Sequence, residues 1–412
     1  MISYKKKVLK NGLTCFAHRD ESTALAALNV IYKVGAKNEN PEKTGFAHLF
    51  EHLMFGGSKN VPEFDIPIQL AAGENNAFTN NDYTDYYIVV PVNNLETALW
   101  VESDRMNNLN INNDTLELQK KVVIEEFNQR YLNKPYGDIW MLLRSMAYTK
   151  HPYMWSTIGK TPKHIQDATL EDVQSFYNNF YIPSNAIISI ASPLPEEEIF
   201  ELIEKWFGDI EKTSSHVSTY KQEPKQIEAR RLEVERDVPA SLVYIVYHMD
   251  KRLSDEFHVC DLISDILSSG SSSRMHQNLV KKEELFSSIN AFISGDVDEG
   301  LFVVTGQVAE GVDLKVAEES LLKELEVLKN EKIDSYELQK VKNKFEVNTI
   351  FGEINIMNKA MNLCFYEMLG DIDLINNEID NYKKISEEDI VNTAKKIFTK
   401  ENSSTLIYKK VE

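Results

Sequence analysis

At 412 residues the chain exceeds what one hydrophobic core ordinarily organises, which points to two domains. Hydrophobic residues at 42% and charged residues at 26% are globular proportions and exclude wholesale disorder. A formal charge of -19 argues against general affinity for nucleic acid or an anionic membrane, because like charges repel.

In chain order, LTCFAHR and ALAALNVIYKVG read as strands, the second ended by Gly35, and the polar loop AKNENPEKTG leads into a helix carrying His48. NNAFTNNDYTDYYIVVPV reads as a hairpin rich in Thr, Tyr and Val that turns at 80–82. Helical patterns follow at 94–106 and 114–131. After the HPYMWSTIG loop come a helix at 170–180, a strand at 185–191 and a helix at 196–207. The interval 211–230 is polar, lacks a sustained apolar period and reads as a linker.

Beyond the linker the order repeats. RLEVERDVPASLVYIVYHM gives strands, DEFHVCDLISDILSS a helix, LFVVTGQV a strand, 335–350 and 387–398 helices, and STLIYKK a last strand. The expected architecture is α+β in two similar halves, 1–210 and 231–412, each a mostly antiparallel sheet with helices packed on one face.

The lysines of MISYKKKVLKNGLTCF are not followed by the apolar stretch of a signal peptide, and no run reaches the ~18 apolar residues of a membrane span. Cys15, Cys260 and Cys364 are odd in number, far apart and outside any CxxC pair, so no disulfide framework or cysteine zinc site is expected. A cytoplasmic protein is the expectation.

The stretch TGFAHLFEHLMFGGS places His48 and His52 four residues apart, on one face of a helix, so both imidazoles can address one ion. Neutral imidazole is a favoured zinc ligand, and catalytic zinc sites use three protein ligands and keep one position open. Glu51, three residues after His48, is placed to take a proton from a water at that position. This HxxEH order is the inverse of HExxH and is used by metallopeptidases. The bland reading is a half-buried helix whose histidines are merely hydrogen-bonded, and a third ligand decides between the two. LELQKKVVIEEFNQR offers Glu125 and Glu126 behind an apolar triplet, and spacing alone leaves open which of them turns inward.

HLFEH, NNAFTNNDYTDYY and KKVVIEEF together resemble the pitrilysin-type zinc peptidases, the inverzincins, and most closely their short bacterial branch that is similar to mitochondrial processing peptidase. NGL and HPYMWSTIG extend the likeness across the first half, and GSSSR and ELQKVKNKFE carry a weaker one through the second. The resemblance implies one zinc ion per chain held by His48, His52 and Glu126, with Glu51 as general base. It also implies that Asn76 and Ala77, on the edge strand NAFT, contact an extended peptide substrate through backbone pairing.

Two departures stand out. Gln119 replaces a supporting glutamate, and VKKEELFSS puts Glu283 and Phe286 or Ser287 where relatives have a substrate-binding arginine and tyrosine, leaving Lys281 or Lys282 as substitutes. Tyr83, Tyr86 and Tyr87 are expected to pack the sheet. SSGSSS (268–273) is expected to be a turn, since no lysine follows it as a phosphate loop requires.

The resulting expectation is a zinc endopeptidase that hydrolyses peptides or short unfolded segments within an enclosed chamber. The alternative is a non-catalytic or weakly active subunit of a peptidase heterodimer. Long-chain relatives build the chamber from four α+β units and this chain has length for two, so a homodimer is expected, with a motif-lacking partner chain as the other option.

Overall fold

The computed structural model describes residues 1–211 and 219–411; of the expected linker, 212–218 lie outside the described residues. The first half runs β1 (Lys5–Val8), β2 (Thr14–Arg19), β3 (Leu25–Tyr32), α1 (Phe46–Leu53), α2 (Asp65–Leu70), β4 (Glu74–Thr79), β5 (Thr84–Pro91) and α3 (Leu95–Asn108). It continues with α4 (Asn113–Phe127), α5 (Ile139–Ala147), α6 (Pro162–Gln166), α7 (Leu170–Phe180), β6 (Ala186–Ser192) and α8 (Glu196–Phe207). The second half holds β7 (Arg230–Arg236), β8 (Leu242–His248), α9 (Asp255–Ser268), β9 (Phe286–Ile293), β10 (Leu301–Val308) and α10 (Leu314–Asn330). Then follow α11 (Ser335–Gly352), α12 (Ile356–Leu369), α13 (Leu374–Lys384), α14 (Glu387–Ile397) and β11 (Ser403–Lys410).

The first sheet has the order β1-β2-β6-β3-β5-β4 and the second β7-β11-β8-β10-β9. Each is antiparallel except for one parallel pair, β2 with β6 and β11 with β7. The connections match strand for strand from β2 and β7 onward, which is the repetition that the order of elements in the sequence suggests. Both sheets end on an open edge, β4 in the first and β9 in the second.

The compact units do not follow the chain in two pieces. One comprises Met1–Leu132, Trp155–Lys221 and Ile350–Asn377, the other Asn133–Met154, Gln222–Thr349 and Glu378–Glu412. In the first unit the main helical layer lies on the face of β3 and β5 that carries Tyr32 and Tyr86, and α12 covers the other face. This explains why β6, AIISIAS, is buried at every position, Ser189 and Ser192 included, and is mostly apolar instead of alternating. In the second unit α5 plays the corresponding part, packing Ile139 and Leu143 against Val246, Val303 and Leu406.

The helices at 170–180 and 196–207 and the strand LFVVTGQV have the bounds read from their patterns. The pattern at 114–131 instead breaks at Phe127, where the turn widens through Asn128–Leu132. Strand β9, FSSINAFI, gave no strand signal because its serines lie on an exposed edge. Helix α12 carries only a weak helical period, whereas α5 is amphipathic, with Ile139, Leu143 and Ala147 buried at helical spacing, and is legible in the sequence. Among the described residues, no helix is long and apolar enough to cross a membrane.

Candidate metal centre

Helix α1 is two turns long and amphipathic, with Phe46, Ala47, Leu49, Phe50 and Leu53 buried. Phe50 stacks on Phe176 and Tyr181, so the apolar face is locked against the helical layer. The opposite face carries His48, Glu51 and His52, half-buried, where helical spacing places them.

The helix begins on Gly45, whose φ of 92° is left-handed and favours glycine. A Cβ there would lie 2.6 Å from the carbonyl oxygen of Ile158, so no other residue fits without a shift.

Helix α4 is capped by Asn112, which accepts from the Thr115 amide, and it buries Leu116, Val123 and Phe127. That face fixes the rotation of the helix, and with it which of the two glutamates faces α1. Glu125 is exposed and accepts from Gln129 Nε2 at 2.8 Å, whereas Glu126 turns towards α1. Glu126 Oε2 lies 3.3 Å from His48 Nε2 and 3.3 Å from His52 Nε2. Its other oxygen, Oε1, accepts from Arg130 Nη1 at 2.8 Å. The carboxylate is thus divided, one oxygen held by the guanidinium and the other presented to both imidazoles.

The ligand atoms of His48, His52 and Glu126 lie within 4.8 Å of one another, the one such group among the described residues. Donors placed ~2.0–2.2 Å from a tetrahedral zinc ion are separated by about 3.3–3.6 Å, so the two 3.3 Å spacings fit a single ion. Two imidazoles and one carboxylate are also the donor set of a catalytic zinc site.

The electrostatics fit as well. Burial opposes the charged form of His48, but hydrogen bonds to Glu126 and Glu51 outweigh it and push its pKa up to about 9. Glu126 is driven well below the usual carboxylate range by its hydrogen bonds to His48 and His52, against a smaller opposing effect of burial. A divalent ion between these groups would take the place of the proton that the carboxylates favour on His48. For Glu51, burial raises the pKa, but hydrogen bonds to His48 and to the Thr79 hydroxyl prevail and keep it ionised.

The remaining predicted residues fall as follows. Asn76 is exposed and Ala77 half-buried on the open edge strand β4, paired in register with Tyr87 and Tyr86 of β5. The Ala77 amide donates to the side-chain Oδ1 of Asn76 at 2.9 Å, a bond that an added strand can displace. Gln119 is half-buried, two turns before Glu126 on α4. Tyr86 is buried beside Arg105, Phe55 and Tyr181, and Tyr83 packs on Phe78 and Phe365. Lys281, Lys282 and Glu283 are exposed, as is Ser287, while Phe286 is buried. Arg274 of GSSSR is engaged by Glu337 through its Nε and Nη2.

Four further residues escaped sequence reasoning: Thr79, Arg130, Glu39 and Trp155. Arg130, four residues after Glu126 on a helical pattern, is the one that spacing could have found. The others act through the tertiary fold.

A family profile described as "Insulinase (Peptidase family M16)" matches residues 15–160, and one described as "Peptidase M16 inactive domain" matches 167–345. The chain is 30% identical over 412 residues to the protein named zinc protease PqqE of Helicobacter pylori, covering 98% of this chain and 93% of that one. It is 23% identical to the uncharacterized zinc protease YmxG of Bacillus subtilis, over 98% of each. A crystal structure of a protease from Helicobacter pylori superposes with a TM-score of 0.94 at 29% identity, over 99% of this chain and 100% of that one. The structure of pitrilysin shares the fold, with a TM-score of 0.79 at 15% identity, and this chain spans 45% of its length.

Proposed function

Because this chain belongs to the M16 peptidase family, we propose that it is a zinc-dependent endopeptidase centred on His48, His52 and Glu126, with Glu51 as general base. The observation that carries this reading is the convergence of the three ligand atoms, from two separate helices, beside an ionised Glu51.

Zinc bound by these residues would supply a Lewis acid and lower the pKa of a water at its open position. A peptide would add as a strand to the edge of β4, its backbone taking over the Ala77 amide from the Asn76 side chain. Glu51 would accept the proton of the attacking water and return it to the departing amine, its ionised form favoured by the neighbouring His48. Backbone pairing gives affinity with little sequence preference, which suits peptides and unfolded segments.

The test is metal content of the purified protein together with hydrolysis of a quenched peptide, with and without a chelator. Near one zinc per chain and activity abolished by chelation are expected. Full activity after metal removal would sink the proposal.

The working unit we infer is a homodimer that encloses the site, because this chain spans about half of the longer pitrilysin chain. A monomer that keeps full specific activity on dilution would end that idea. All three cysteines are buried and free, which suits the reducing cytoplasm, and cell fractionation tests that location.

A further inference from the structure

We propose that Glu39 is a positioning residue of the metal centre, a buried carboxylate that, together with Trp155, sets where α1 begins and so where its ligands point. The proposal rests on the zinc-peptidase reading and deepens it.

Any helix starts with amides that have no partner inside it. In several other helices the residue at the start solves the problem itself: Asn112 caps α4, Thr169 caps α7 and Ser386 caps α14. Helix α1 cannot do so, because its first position is Gly45, which has no side chain and no room for one. The acceptor comes from six residues upstream. Glu39 Oε2 accepts from the Gly45 amide and Oε1 from the Ala47 amide, each at 2.9 Å. Two bonds to two oxygens fix the plane of the carboxylate as well as its position.

A third donor ties this cap to a distant segment. Trp155 Nε1 donates to Glu39 Oε2 at 3.1 Å and to the Ala36 carbonyl at 3.1 Å. Glu39 is 6% exposed and Trp155 3%. A carboxylate that deep costs several kcal/mol unless its charge is met. Burial pushes its pKa up to about 8, while its hydrogen-bond partners, all N–H groups, and the positive end of α1 favour the charged form. Thr44 gives a second fixing point, bonded to His164 Nδ1 through its amide at 3.1 Å and accepting the Lys160 amide on its hydroxyl at 2.8 Å.

The leverage on chemistry follows from the sequence. The amide held by Oε1 belongs to Ala47, the residue before His48, and both imidazoles must stay 3.3 Å from Glu126 Oε2. Metal sites tolerate displacements of only about 0.5 Å, and loss of a supporting partner costs ~10–100-fold in affinity. A helix of two turns has little length over which to absorb an error at its start.

The experiment compares wild type with Glu39→Gln, Glu39→Ala and Trp155→Phe. Measured are the zinc dissociation constant by competition with a chromogenic chelator, the cobalt(II) absorption spectrum, kcat and KM on a quenched peptide, and the unfolding midpoint. Glu39→Gln keeps the size of the side chain but turns one acceptor into an NH2 group facing a backbone amide. It should weaken zinc binding about tenfold or more and alter the cobalt spectrum. It should also lower kcat with KM within about twofold, since substrate pairs on β4 and not on α1. Trp155→Phe keeps an aromatic six-membered ring but loses the pyrrole ring and its N–H donor, and should move the same readouts by about threefold. If Glu39→Ala does not fold, the other two variants carry the test. Folded Glu39→Gln with wild-type zinc affinity and cobalt spectrum would overturn this assignment alone. A wild-type chain that takes up no zinc would overturn the underlying reading with it.

Discussion

Helices α1 and α9 occupy the same place in two sheets of the same connectivity, each between the central strand and the open edge strand. One carries the candidate metal centre and the other is core. In α9 the buried residues run from Phe257 through Leu267 and include its one histidine, His258, which is 5% exposed and lies 3.5 Å from Glu378. In α1 the histidines and Glu51 stand on the unburied face and converge with a carboxylate from α4. The position in the fold is therefore neutral between the two uses. A fully buried Leu or Ile contributes about 1.5–3 kcal/mol, so a helix that gives up part of its surface to polar ligands needs other anchorage. In α1 that anchorage is the aromatic stack on Phe50 and the carboxylate of Glu39.

The largest test of this contrast is removal of ligands from each helix. His52→Ala and Glu126→Ala should lose zinc and activity together, while Glu125→Ala keeps both. His258→Ala should leave the zinc stoichiometry untouched and cost about 2 kcal/mol of stability by denaturant unfolding. Zinc retained at full occupancy by Glu126→Ala and lost by Glu125→Ala would reverse the assignment.

Glu51→Gln comes next. It should keep zinc and lower kcat by about 10³-fold, because the side chain handles the proton and does not hold the metal. Metal analysis beside steady-state kinetics separates this from a ligand defect.

A smaller effect is expected at the edge of β4. Ala77→Pro removes the amide that a substrate strand would use, and should lower kcat/KM by about tenfold with zinc unchanged. A proline that leaves peptide hydrolysis unaltered would remove β4 from the substrate path.

The smallest concerns the helix that covers the first sheet from behind. Lys359 of α12 donates to Asp20 Oδ2 at 2.6 Å. Burial opposes ionisation of Asp20, but hydrogen bonds from Lys359 and Ser22 prevail and lower its pKa to about 2. A depressed native pKa stabilises the fold above the unfolded value near ~3.9 and loses that contribution as pH falls towards about 2. Asp20→Asn should therefore cost ~1 kcal/mol at pH 7, after allowance for solvent screening, and the gap from wild type should close across that acid window. Unfolding curves at pH 7 and pH 2.5 measure it.

What the sequence alone determined was local and periodic. A period of 3.6 residues places His48 and His52 on one face with Glu51 between them, and alternation with turn residues places NAFT on a hairpin. Both depend on neighbours within a few residues, and no distant contact can rearrange them. The tertiary structure alone decided three things. It turned Glu126, which residue spacing left level with Glu125 and only the resemblance favoured, towards α1, because the burial of Leu116, Val123 and Phe127 sets the rotation of α4. It brought Glu39 and Trp155, 116 residues apart, to the start of α1. And it placed α5 and α12, each from the other half of the chain, over the two sheets. Such pairings are set by which buried surfaces fit once the layers pack, and that information is spread over residues too far apart in sequence to leave a local signal.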